Sequence, residues 1–158
     1  MPSVLDSLLD TTVTTIKDLD LKGLKDSSIK RLKSVLDRDF PTPGIGVAPL
    51  GPEMIDPAGV NAKDDVTYQI VVAIKTADNL IQTANDDGET QYTWRQRIRR
   101  RFHHQPGGTF AFSAISDATT CTVKPLKIID EDVWASEKLF VSALVLNIVC
   151  REPRTYSA

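Results

Sequence analysis

Cysteine, histidine and long apolar runs are all scarce in this chain, and each scarcity removes a class of function. The two cysteines, Cys121 and Cys150, lie far apart with no CxxC spacing, which gives no support to a zinc knuckle or a redox dithiol and leaves buried free thiols as the expectation. The two histidines, His103 and His104, are adjacent, so on a helix they point about 100° apart and do not converge on one ion; a helix C-terminus that favours cations is the simpler reading. The longest apolar run, around Val145 to Val149, is broken by Asn147 and falls far short of the ~20 residues a membrane span needs. The opening MPSVLDSLLD has acids and no Lys or Arg ahead of its leucines, which is the wrong flank for a secretory signal and sets the expectation of synthesis in the cytoplasm. No P-loop, dinucleotide fingerprint or serine-nucleophile elbow is present, because the glycines of PTPGIGVAPLGP are separated by prolines and do not lead from a strand into a helix.

What is present is an ordinary globular composition, 41% hydrophobic and 25% charged, over 158 residues. That length suits one domain able to bury its own core without a metal or disulfide staple. The net charge of −2 argues against a surface given over to nucleic acid, while leaving room for a local basic patch.

Periodicity divides the chain. In SVLDSLLDTTVTTIKD, residues Val4, Leu5, Leu8, Leu9, Val13 and Ile16 recur at three and four, which predicts a helix over 4–18, with Ser3 as cap and Asp6 completing a capping-box pair. IKRLKSVL (29–36) fits neither period well and is assigned to a strand. The stretch from Asp37 to Asn61 holds five prolines and four glycines, so a continuous helix is excluded; Ile45 to Ala48 is expected as an edge strand, and the rest of 41–62 as an extended loop or docking arm. DDVTYQIVVAIK alternates, with Val66, Tyr68, Ile70, Val72 and Ile74 on one face of a strand. Residues 89–104 turn helical through Trp94, Ile98 and Phe102, and QPGG stops them. GTFAFSAI (108–115) and CTVKPLKII (121–129) read as strands, and KLFVSALVLNIVCRE (138–152), apolar on both faces, as a central strand. The order predicts an α+β fold, a mostly antiparallel β-sheet packed against two helices.

One cluster stands out. TWRQRIRRRF places Arg95, Arg97, Arg99, Arg100 and Arg101 on two helical turns, and like charges at i,i+4 repel. A solvated face, acidic residues of another subunit and passing phosphates are all possible destinations for them. Acid pairs at Asp64-Asp65 and the triplet Asp130-Glu131-Asp132 fit turn chemistry and edge protection as well as metal or acid/base work, so no catalytic residue, cofactor site or enzyme activity is expected.

DDVTYQIVVAIKTADN, TWRQRIRRRF and KLFVSALVLNIVCREPR together resemble a group of small structural proteins of tailed bacteriophages, over residues 64–104 and 139–154. The resemblance implies a virion protein of the neck, of the tail-terminator type: a hexameric ring that ends the tail tube and joins it to the head connector. Its partners would be copies of itself, the tail tube protein and the connector or adaptor, with DNA passing through the lumen unbound, no membrane and no cofactor. The arginines Arg95 to Arg101 would then face the channel or the next subunit. Asp78, Asp86, Asp87 and Glu89, or Asp130, Glu131 and Asp132, would supply the opposite charge on the other face. A head-closure adaptor and a small nucleic-acid-binding module are the competing readings.

Overall fold

The computed structural model describes residues 2–34, 41–57, 63–76, 89–104, 108–126 and 140–153. It opens with helix α1, Val4–Asp18, whose first turn is closed by the expected capping box: the Asp6 N–H donates to Ser3 Oγ at 3.1 Å, and the Ser3 N–H to Asp6 Oδ2 at 3.3 Å. Leu8, Leu9 and Ile16 on its inner stripe are buried. A single 3-10 turn, Asp26–Ser28, leads into the short strand β1, Ile29–Arg31. The remaining elements are β2 (Gly44–Pro49), β3 (Met54–Pro57), β4 (Lys63–Thr76), α2 (Gln91–Phe102), β5 (Ala118–Pro125) and β6 (Phe140–Pro153).

The strands form one sheet in the order β1-β2-β4-β6-β5, antiparallel except for the β1–β2 pair, with β3 continuing the line of β2 along β4. This is the α+β arrangement expected. The spine is the β4–β6 pair, in unbroken register from Lys63↔Pro153 to Thr76↔Phe140. Proline is the last residue of β2, β3, β5 and β6, where its missing N–H ends a ladder instead of interrupting one.

Because side chains alternate along a strand, the register sorts the sheet into two faces. Ile45, Val47, Ile70, Val72, Ile74, Leu144, Leu146 and Ile148 point to the face carrying both helices and join Trp94, Ile98, Phe102, Leu8, Leu9 and Ile16 in the main core. The other face holds a smaller cluster of Leu32, Ala48, Val71, Ala73 and Val141. No helix among the described residues is long and apolar enough to cross a membrane.

Three expectations need correction. Ile45 to Ala48 is no edge: β1 lies outside it, and Ile45, Val47 and Ala48 are buried. The 41–62 segment is sheet through much of its length, since Gly44–Pro49 and Met54–Pro57 both pair with β4; residues 58–62 lie outside the described residues. Prolines at strand ends are compatible with pairing, and composition alone could not show that β4 offers a partner. GTFAFSAI is a series of turns, with Ser113 N–H donating to the Phe110 carbonyl (3.3 Å) and Ile115 N–H to that of Phe112 (3.0 Å). Its alternating aromatics are both drawn to the end of α2, where Phe112 is fully buried 5.8 Å from Phe102 in ring-to-ring distance.

Candidate functional site: the arginine helix

Helix α2 begins at Thr90, whose Oγ1 accepts from the Thr93 N–H at 3.4 Å, and it is locked to the sheet by Gln91 Nε2, which donates to the Ile74 carbonyl at 3.1 Å. Trp94, Ile98 and Phe102 fill the core, and three arginines occupy the last turn, where the helix dipole favours cations.

The five arginines have different fates. Arg95 is buried, with Nη1 donating to Ser142 Oγ (2.6 Å) and the Ala143 carbonyl (2.8 Å) and Nη2 to the Leu126 carbonyl (2.8 Å). Burial, and secondarily the charge of Arg99, pull its pKa below the ordinary arginine value. Its fork of donors serves as a rivet between α2, the start of β6 and the end of β5. Arg97 pairs with Glu89 at 3.1 Å and donates to the Leu19 carbonyl. Glu89 in turn accepts from the Lys22 N–H at 2.6 Å and from Trp94 Nε1 at 3.1 Å, so this cluster ties the chain after α1 to the start of α2. Arg101 donates to the Thr109 carbonyl at 3.0 Å, tying the end of α2 to the segment that carries Phe110 and Phe112.

Arg99 and Arg100 are exposed, and among the described residues neither has an acceptor. With Arg101, His103, Thr109 and Val123 they line an open depression of about 1030 Å³. The histidines do not converge. His103 Nδ1 accepts from the Val123 N–H at 3.3 Å, and the His104 N–H donates to the Cys121 carbonyl at 2.9 Å, so the end of α2 blocks part of the outer edge of β5. The His104 ring packs against Phe110 at a tilt of 49°, with ring centroids 4.8 Å apart.

No known protein family matches the chain, and no curated protein sequence is significantly similar to it.

The acids are also redistributed. Asp65 is paired with Arg151 at 3.0 Å, directly opposite it across β4 and β6. Glu152 accepts from the Tyr68 hydroxyl at 2.7 Å; burial first, and then this bond, push the Tyr68 pKa well above the ordinary tyrosine value. Glu89, expected on a second charged face, is engaged at the base of α2 instead. Asp78, Asp86, Asp87, Asp130, Glu131 and Asp132 lie outside the described residues. Among the described residues no three His, Cys, Asp or Glu side chains come together as metal ligands. Both thiols are buried, and burial pushes Cys121 and Cys150 up to about 12, so neither is a nucleophile at neutral pH.

Sequence reasoning missed the four large apolar residues that are exposed among the described residues: Met54 and Ile55 on β3, Tyr92 on α2 and Leu126 after β5. The only prior signal was Met54-Ile55 standing as a lone apolar pair between Pro52 and Pro57.

Proposed function

We propose that this chain is a structural subunit of a tailed-phage neck, of the tail-terminator type, which assembles as a hexameric ring, ends the tail tube and joins it to the head connector. Two supports carry the reading: the resemblance over 64–104 and 139–154, and the state of Arg99 and Arg100. A helix that neutralises or satisfies three of its arginines internally leaves these two facing outward with no described partner. Exposed like charges kept side by side suit a partner that supplies the opposite charge. In a ring that partner is the next subunit, and the work is mechanical: stop tube growth, seat the head, and leave a lumen through which DNA passes without being held. The protein is then made in the host cytoplasm and resides in the virion.

The test is co-sedimentation of the purified chain with tail tubes and, separately, with head connectors. Capture by tube ends that blocks further tube growth is the expected result. Binding to connectors alone would replace the terminator with a head-closure adaptor. Tight, steeply salt-dependent binding of duplex DNA by an isolated monomer would replace both with a nucleic-acid module.

A further inference from the structure

The four exposed large hydrophobics among the described residues fall into two pairs on opposite parts of the sheet, and the two pairs carry opposite charge. Met54 and Ile55, 52% and 61% exposed, stand on β3 at the end of the β4–β6 ribbon where Lys63 pairs with Pro153. Around them that end carries Glu53, Asp56, Asp64, Asp65 and Glu152 against Lys63 and Arg151, five acidic side chains to two basic. Tyr92 and Leu126, 42% and 41% exposed, form the apolar part of a depression of about 580 Å³ beside α2, and Arg99 stands on its rim with Arg100 next to it.

These surfaces cannot meet within one chain. Ile55 lies opposite Val66 and thereby Cys150 of β6, whereas Pro125, next to Leu126, lies opposite Leu144. Six residues of β6 are roughly 20 Å at 3.3–3.4 Å each, and β3 and β5 are also three strand spacings apart. No side chain spans that separation.

We infer that the β3 knob of one copy docks in the Tyr92–Leu126 socket of a second copy, with Ile55 against Leu126 and the acids beside β3 facing Arg99 and Arg100. The occupant follows from the match of two features at once. Apolar residues ringed by acid meet apolar residues ringed by arginine, and each copy carries one of each surface. β3 also exposes an unpaired outer edge among the described residues, the kind of edge that a neighbour covers. Such a head-to-tail contact repeats from copy to copy and closes when its rotation divides the circle. The inference rests on the ring reading for its biological setting, but the contact itself is tested separately.

The experiment treats full-length chain carrying Ile55→Cys, Leu126→Cys or both with a short bis-maleimide, and measures wild-type mass by light scattering in parallel. Native Cys121 and Cys150 are buried and stay silent. The expected result is a ladder of dimers and larger species from the double variant, heterodimers from an equimolar mixture of the single variants, and almost no product from either single variant alone. Adding Arg99→Glu and Arg100→Glu to the double variant should abolish the ladder. A wild-type ring with no ladder overturns the seam and leaves the ring standing; a ladder from a chain of monomeric average mass upholds the seam and removes the preformed ring. Efficient homodimers from Ile55→Cys alone would mean that two β3 edges pair with each other, and would overturn the knob-and-socket contact.

Discussion

The two ends of the β4–β6 ribbon are built on different physics. At one end, residues 70–76 and 141–148 share the main core with α1 and α2, and their inward side chains are fully buried and aliphatic apart from Thr76 and Ser142. At the other, residues 63–69 and 149–153 keep one buried pair, Val66 and Cys150, and are otherwise joined by polar contacts: Gln69 Nε2 to Asn147 Oδ1 at 3.0 Å where the two regions meet, Tyr68 to Glu152, and Arg151 to Asp65. Folding free energy is therefore concentrated in the helix-covered end, and the polar end, with less buried, is free to carry surfaces that serve contact. Helix α2 repeats the contrast within twelve residues, since Arg95 belongs to the first kind of region and Arg99 and Arg100 to the second.

The contrast breaks most severely in the covered end. Trp94→Ala or Phe102→Ala should cost about 3–5 kcal/mol in denaturant unfolding, because each empties a fully buried site. Arg95→Met should cost about 2–3 kcal/mol, since the Ser142 hydroxyl and two carbonyls lose their donor, whereas Arg99→Ala and Arg100→Ala should each stay within about 0.5 kcal/mol. Equal losses at Arg95 and Arg99 would erase the division of the helix. In the polar end, Gln69→Ala should cost only about 0.2–1 kcal/mol, the range of a single cross-strand pair.

The smallest effect concerns pH. The hydrogen bond from Arg31, followed by those from Ser3, holds the Asp6 carboxyl below its ordinary value of 3.8. A carboxylate whose folded pKa is depressed contributes stability that is complete above the unfolded value and is lost as pH falls through the folded one. Wild type and Asp6→Asn should thus differ in melting temperature at neutral pH and converge below pH 3.8; a constant gap down to acid pH would contradict this.

Much of the fold was legible in the sequence because its long elements are strongly periodic. Helix α1 with its Ser3–Asp6 box, strand β4, helix α2 and the central position of β6 all follow from spacing that leaves one face apolar. What was not legible depends on partners distant in sequence. The alternation of Phe110 and Phe112 satisfies a strand template, and only the nearby Phe102 makes turns the better burial. The prolines around β2 and β3 suggest an arm until β4 is seen to pair with both. Five arginines within seven positions look alike, and the difference between Arg95 and Arg99 is made by carbonyls at 126 and 143 that no local pattern reveals. For the same reason the charged complement expected at Glu89 is internal, and nothing local distinguishes the exposed Met54-Ile55 pair within a segment that reads as an extended loop or docking arm.

The most direct test of the account is the light-scattering mass of wild type and of the Arg99→Glu/Arg100→Glu variant at low and at moderate salt, with a melting curve for each. The account predicts a hexamer-sized wild type that loosens as salt rises, and a variant that is monomeric at both salts yet melts with the wild type. A variant that assembles like the wild type, or that loses its fold, would contradict the claim that these two arginines serve contact while the other three serve the structure.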